Sequence, residues 1–384
     1  MEAMRIPVVA RGIPNPTSKS AVARKLSSDK WLFAVTLILV LSGIVMVFSA
    51  SAVLANEKFH NPSYFLTRQA IWAMLGIIGM VCLMHVDYHH LQKPVLVFGG
   101  LFLCIVLLCA VFFLDKSHNT HRWFRLGFFS FQPSELCKIS IAIFFAFFLE
   151  KRLGEINDFR HTLLPCLVVL ALFVGLIVIE PDLGTAVCVG AVAFILLFAA
   201  GLQYRYVLGA ILLAIPPIFF LIYSYEYRLR RVLVFLDPWK DPLGAGFQIT
   251  QSLIALGAGG MVGMGFMEGK QKLFYLPEPH TDFIFAVIGE ERGLLGTVSL
   301  VLLFGIFLWR GLRLSLRAPD VFGRLLGVGL TMMVVCQAFI NMSVVMSLLP
   351  TKGIPLPFIS AGGSSLLINL LGVGVLLNIS QHGD

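Results

Sequence analysis

The side chains able to do chemistry gather in a few stretches of an otherwise apolar sequence. In YLPEPHTDFIFAVIGEERG, Tyr275 to Gly293, the group Glu278, His280 and Asp282 precedes a long apolar run, and Glu290, Glu291 and Arg292 lie within it. A carboxylate beside a histidine and an apolar wall can serve as a general base; an acid at that place also suits the dipole of a helix N-terminus. In FQPSELCKISIAIFF, Glu135 and Lys138 are three apart and share one helix face. Such a pair just inside a membrane span is costly unless it serves a cavity or fixes helix packing. In VIEPDLGTAVCVG, Glu180, Pro181 and Asp182 interrupt two apolar runs. They form an ordinary tight turn, or else Asp182 turns back into the cavity of Glu135 and Lys138. Arg122 in DKSHNTHRWFRLGFFSFQ and Lys352 in LLPTKGIPLP are cations in connecting segments. Arginine is suited to gripping phosphate with its rigid donor fork.

These groups must be positioned by membrane helices. The 384 residues are 58% hydrophobic and 13% charged, where soluble domains carry about a quarter charged residues. A span needs roughly 20 apolar residues, and about ten stretches qualify, near 31–54, 68–86, 94–114, 133–150, 162–179, 183–202, 206–224, 282–309, 325–348 and 358–379. The fold class expected is an all-α polytopic membrane protein, with a large outer loop between spans 7 and 8. Residues 1–30 read as a disordered, basic cytoplasmic tail, and 31–384 as one transmembrane domain. The seven cysteines fall in or beside apolar runs without metal or redox spacing and read as small buried hydrophobes.

With the N-terminus inside, Lys151, Arg152, Arg160, Arg310, Arg313, Arg317 and Arg324 fall on inner connections, as the positive-inside rule requires. An even span count returns the C-terminus to the same side. Arg122, Lys352 and the cations of the loop 225–281 then fall outside. Long loops cross regardless of charge; an outer cationic surface for an anionic ligand such as a lipid-linked diphosphate is the functional alternative. Within the large loop, Phe247 to Leu256 interleaves polar and apolar residues as an interfacial helix does, and Gly257 to Gly269 forms a mobile segment that permits close approach. No P-loop pattern is present, and nothing points to nucleic acid. From Asp282 to Arg310 is 28 steps, about 42 Å of helix against a hydrocarbon core of about 30 Å, so the helix should project beyond the outer boundary, with Asp282 in or near the outer aqueous layer.

Five ordered motifs carry a family likeness: RWFRLGFFSFQPSELCKI, EPDLGTA, DPWKDPLGAGFQITQSLIALGAGG, LPEPHTDFIFAVIGEERG and LPTKGIPLPFISAGGSS. Over nearly the whole chain after residue 30, the sequence resembles the SEDS proteins (shape, elongation, division and sporulation) of bacteria. QKLFYLPEPHTDF and PTKGIPLPFIS favour the division branch over the elongation branch. Where the division pattern has a tyrosine in SYGGSS, this chain has Ala361, so no ring acts there.

The resemblance implies a peptidoglycan glycosyltransferase of the bacterial inner membrane, at the division septum, polymerising lipid II into glycan strands on the outer face. It implies a class B penicillin-binding protein of the FtsI type and other division proteins as partners. Asp282 is then the candidate base. Arg122, Lys138 and Lys352 are candidates to hold diphosphate or order the cavity, with His280 beside them. Glu135 and Asp182 orient those cations or share a divalent cation, the one cofactor the chemistry suggests. A lipid II flippase and a scaffold recruiting the transpeptidase are the competing functions. A transporter would need a path open to both sides, often with internal repeats; no clear repeat is visible and the unusual charges collect towards one face.

Overall fold

The computed structural model describes residues 28–114, 122–126, 129–224, 234–244, 246–273, 275–351 and 353–383. Each of the ten predicted spans is a helix: α1 (Lys30–Phe59), α2 (Tyr64–His85), α3 (Pro94–Leu114), α4 (Pro133–Glu150), α5 (Leu164–Ile179), α6 (Leu183–Ala199), α7 (Tyr204–Tyr223), and, after a shorter helix α8 (Phe247–Gly259), α9 (Ile284–Leu316), α10 (Val321–Val345) and α11 (Gly363–Ser380). Among the described residues, seven are long and apolar enough by themselves to cross a membrane. Of the others, α6 is short at 17 residues and α4 carries Glu135, Lys138 and Glu150. The basic tail predicted over 1–30 lies, up to Ser27, outside the described residues.

Local sequence sets the helix starts. Asp29 caps α1 by accepting the Leu32 N–H at 2.9 Å. Asp182 and Asp320 cap α6 and α10 in the same way, and Pro133 sits in the first turn of α4, where its missing N–H costs nothing. A hairpin of β1 (Phe124–Leu126) and β2 (Phe129–Phe131) leads into α4 and places Arg122 at its mouth. α10 and α11 form the centre, with 72% and 78% of their apolar windows buried against 28% in α2, α3 and α5. Four cysteines are buried, but Cys82 and Cys109 are exposed. They lie on outward faces of spans, where lipid replaces the core, so burial was the wrong expectation for them.

The continuous 42 Å helix expected from Asp282 is not formed. Gly293 has φ 62° and ψ −159° and breaks α9 in two. The segment from Leu294 to Leu316, about 34 Å long, suffices to span the hydrocarbon core. Residues Gly260–Gly265 fill the break. The N–H groups of Leu294 and Leu295 donate to the carbonyls of Gly260 (2.9 Å) and Met261 (3.1 Å), and those of Met264 and Gly265 donate to the carbonyls of Glu290 (2.9 Å) and Glu291 (3.1 Å). Every backbone group freed by a helix break at membrane depth needs such a partner. The glycines thus make the predicted close approach.

This arrangement also explains the charges inside the apolar run. The Glu290 carboxylate accepts the N–H groups of Lys270 (2.7 Å) and Gln271 (3.1 Å). Glu291 accepts from Lys272 Nζ (2.6 Å) and Ser49 Oγ (2.6 Å), and all three side chains are buried. The two acids tie the large loop to α9 and α1. The loop helix α8 is docked on the bundle, its Ser252 hydroxyl donating to the Val345 carbonyl at 2.7 Å.

Candidate active site

At the end of the bundle where α9 begins, three connections meet: the turn ahead of α9, the proline-rich turn between α10 and α11, and the α5–α6 turn. Asn341 Nδ2 clips the first two together, donating to the carbonyls of Asp282 (2.8 Å) and Ile354 (2.7 Å). Ser360 accepts the Leu356 N–H (2.7 Å) and donates to the Thr281 carbonyl (2.5 Å), and the Ala361 N–H donates to the His280 carbonyl (2.9 Å). Gly353 is needed at the contact, because a Cβ there would stand 2.6 Å from Asp282 Oδ2. Asp282 is held by its backbone, and its carboxylate is left without a hydrogen-bond partner among the described residues.

The other acids of this end are engaged or enclosed. Glu135 pairs with Lys138 at 2.7 Å, both buried. Lys138 also donates to Gln337 Oε1 at 2.5 Å, and Gln337 continues to the Pro355 carbonyl (2.9 Å) and Ser365 (3.3 Å). Asp182 is buried, receiving Gln132 (2.7 Å), Ser134 (3.1 Å) and the Thr185 N–H (3.1 Å). It does turn inward, yet onto its own partners and not onto Glu135 and Lys138. Glu180 is fully buried, and desolvation pushes its carboxyl up to about 8. Glu278 is exposed. Asp282 differs from all of these: partly buried, unengaged and at the mouth.

Burial, helped by the negative charge of Glu278, pushes the Asp282 carboxyl up to about 7; the Arg122 guanidinium pulls the other way. A base poised near neutral pH is the condition for efficient proton transfer. His280 does not face that carboxylate. Its ring packs on Phe65 with centroids 4.4 Å apart, and burial lowers its pKa, so it is neutral. It lines a separate cavity of about 170 Å³ shared with Arg68, Gln69, Trp72, Trp123 and Ala361.

Arg122 donates through Nε to the Glu180 carbonyl (2.8 Å) and through a second guanidinium nitrogen to the Pro181 carbonyl. It therefore fastens the α5–α6 turn as well as presenting charge to the mouth. Lys352 lies outside the described residues. The expected sharing of a divalent cation by Glu135 and Asp182 does not fit their surroundings, since each already has its own partners. Among the described residues no group of three His, Cys, Asp or Glu side chains has metal-holding geometry.

Sequence reasoning missed Arg68, Gln69 and Trp72. A signal was available: Arg68 is the one Lys or Arg in α2, one turn from its start. Asn341 was visible as a polar residue on a helix face, but its clamp on two distant carbonyls was not.

Comparison with known proteins gives a consistent result. A family model covering FtsW, RodA and SpoVE and described as "Cell cycle protein" matches residues 29–384. A relative from Geobacter sp. strain M18, named "Probable peptidoglycan glycosyltransferase FtsW", is 47% identical over 92% of this chain and 97% of its own length. Stage V sporulation protein E of Bacillus subtilis is 42% identical over 94% and 98%. Among solved structures, a chain of a peptidoglycan synthase complex that coordinates polymerization and crosslinking aligns with a TM-score of 0.78 and 30% identity, over 92% of this chain and 98% of that one. Thermus thermophilus RodA aligns with a TM-score of 0.66 and 27% identity, over 92% and 97%. The matched family model spans the entire helical bundle and the mouth at Asp282, and the chain belongs to the FtsW/RodA/SpoVE family, the SEDS proteins, on its FtsW-like side.

Proposed function

We propose that the chain is a peptidoglycan glycosyltransferase that polymerises lipid II during cell division, with Asp282 as the general base. The observation that carries the site assignment is the unengaged, proton-hungry carboxylate of Asp282 at the mouth of the bundle, where every neighbouring acid is paired, enclosed or exposed to solvent. The name of the Geobacter relative supports the reaction class.

In this mechanism the acceptor sugar hydroxyl attacks the anomeric carbon of the lipid-linked chain. Asp282 takes the hydroxyl proton, the new glycosidic C–O bond forms, and the bond from that carbon to the diphosphate oxygen breaks. The leaving diphosphate needs cations, for which Arg122 and Lys352 are the candidates. Glu135, Lys138 and Asp182 act from behind: they hold α4, α10 and the α5–α6 turn in place. His280, neutral and packed against Phe65, lines the adjoining cavity and contacts sugar or peptide there. The mouth faces the outer side of the inner membrane at the septum and both termini are cytoplasmic, an orientation supported by the arginines at the far end of α9. A class B penicillin-binding protein is the proposed partner.

The pH profile tests this reading. A base must be unprotonated, and the Asp282 carboxyl holds its proton below about 7. Polymerisation is therefore expected to fall as pH drops through about 7, and Asp282→Asn should lack that limb. A wild-type rate flat from pH 5 to 8 would sink the assignment.

Arg122→Ala is expected to weaken lipid II binding about tenfold, in line with the loss of a charge-assisted contact. Unchanged binding with lost turnover would instead leave Arg122 with its hold on the α5–α6 turn as its whole role.

A further inference from the structure

At the end of the bundle opposite Asp282, the start of α1, the last turns of α9 and the end of α11 enclose a cavity of about 480 Å³. Asp29, Lys30, Trp31, Arg310, Arg313 and Arg317 line it. Asp29 is fully engaged. One carboxylate oxygen caps α1, the other accepts Arg310 Nε at 3.1 Å, and its N–H donates to the Ser380 hydroxyl at 3.1 Å. Lys30, Arg313 and Arg317 are exposed, and none has an ion-pair partner among the described residues.

Four cations thus share one carboxylate. The dipole of α9 favours Arg313 and Arg317 at its C-terminal end, but Lys30 at the N-terminus of α1 opposes the dipole there. Among the described residues the wall offers no second carboxylate to offset that repulsion, and an anion seated in the cavity offsets it.

The rim shows where the anion comes from. Trp31 is 68% exposed and Trp309 58% exposed. The guanidinium carbons of Arg310 and Arg313 lie 5.4 and 5.7 Å from the Trp309 ring. Exposed indoles at the ends of spans mark the headgroup level, and Leu314 supplies a buried apolar floor. Basic pockets between helices at this level hold lipid phosphates, and guanidinium groups bind such phosphates bidentately.

We propose that this cavity binds the phosphate of an anionic glycerophospholipid of the leaflet on that side. Arg313, Arg317 and Lys30 hold the phosphate oxygens, and the acyl chains leave past Trp31 and Leu314. The site is separate from the mouth at Asp282 and does not depend on the proposed reaction.

The test is native mass spectrometry of the full-length purified protein in detergent, titrated with phosphatidylglycerol, phosphatidylcholine or inorganic phosphate. Phosphatidylglycerol should be retained at least fivefold more than phosphatidylcholine, roughly the preference one basic contact confers. Arg313→Gln combined with Arg317→Gln should lower its retention at least about tenfold. Arg152→Gln, at a partly exposed cation of the same end paired with Glu155 at 3.2 Å, should leave it unchanged. Lys30→Gln, which keeps the Asp29–Arg310 pair, carries the test if the double variant does not fold. Three results would overturn the proposal: equal retention of the two lipids, undiminished retention in the cavity variants, or an equal loss in Arg152→Gln. Displacement of phosphatidylglycerol by millimolar inorganic phosphate alone would overturn the lipid as the occupant.

Discussion

Asp282→Asn is expected to lower lipid II polymerisation by at least about 10²-fold, the usual loss when a general base is removed, or about 2.7 kcal/mol in the barrier. The substitution keeps size and most hydrogen-bonding capacity while deleting the basic group. It should not disturb the fold, because the contacts that seat this turn are made by the Asp282 carbonyl to Asn341 and by the neighbouring Thr281 and His280 carbonyls. Removing a desolvated carboxylate even relieves a burial cost. Lipid II affinity and thermal stability should therefore stay near wild type on the sample that has lost turnover. A stable variant that polymerises at the wild-type rate would remove Asp282 from the mechanism, and it would also be the result expected of a scaffold.

The second large effect is on stability. Lys272→Met removes the cation buried against Glu291 and leaves that carboxylate with the Ser49 hydroxyl alone. Breaking a buried pair from one side costs about 3–5 kcal/mol. The unfolding midpoint in detergent should fall by several degrees, with the loosening centred where Lys272 joins the loop to α9 and α1. Combining Lys272→Met with Glu291→Gln removes the stranded charge and keeps an amide for Ser49, so it should recover more than half of the loss. An unchanged midpoint for Lys272→Met would show that the pair does not hold the loop.

The helical frame was legible because apolar length is a direct consequence of the bilayer: all ten predicted spans are helices. Asp282, Asp182, Glu135 and Lys138 were legible as charges in costly places, and Asp182 does turn inward. Their partners were not. Asp182 pairs with Gln132 and Ser134 across about 50 residues, and Lys138 with Gln337 across 199, separations over which spacing carries no information. The break at Gly293 was hidden for a related reason. One glycine in an apolar run is unremarkable until a second segment, Gly260–Gly265, is known to supply the missing backbone partners. Glu290 and Glu291 posed the sharpest question in the sequence and proved to be anchors of the large loop. His280 shows the converse error: two residues from Asp282 in the chain, it lines a cavity that Asp282 does not.

The proposed activity joins lipid II units and does not merely move them across the bilayer. The most direct measurement is polymerisation of lipid II by the purified protein in detergent, where sidedness is abolished, with and without the proposed penicillin-binding partner. Glycan strands are expected from the wild-type protein, at least in the presence of the partner, and from Asp282→Asn at a rate at least about 10²-fold lower. Absence of strands under both conditions, together with lipid II transfer across vesicles by the same preparation, would contradict it.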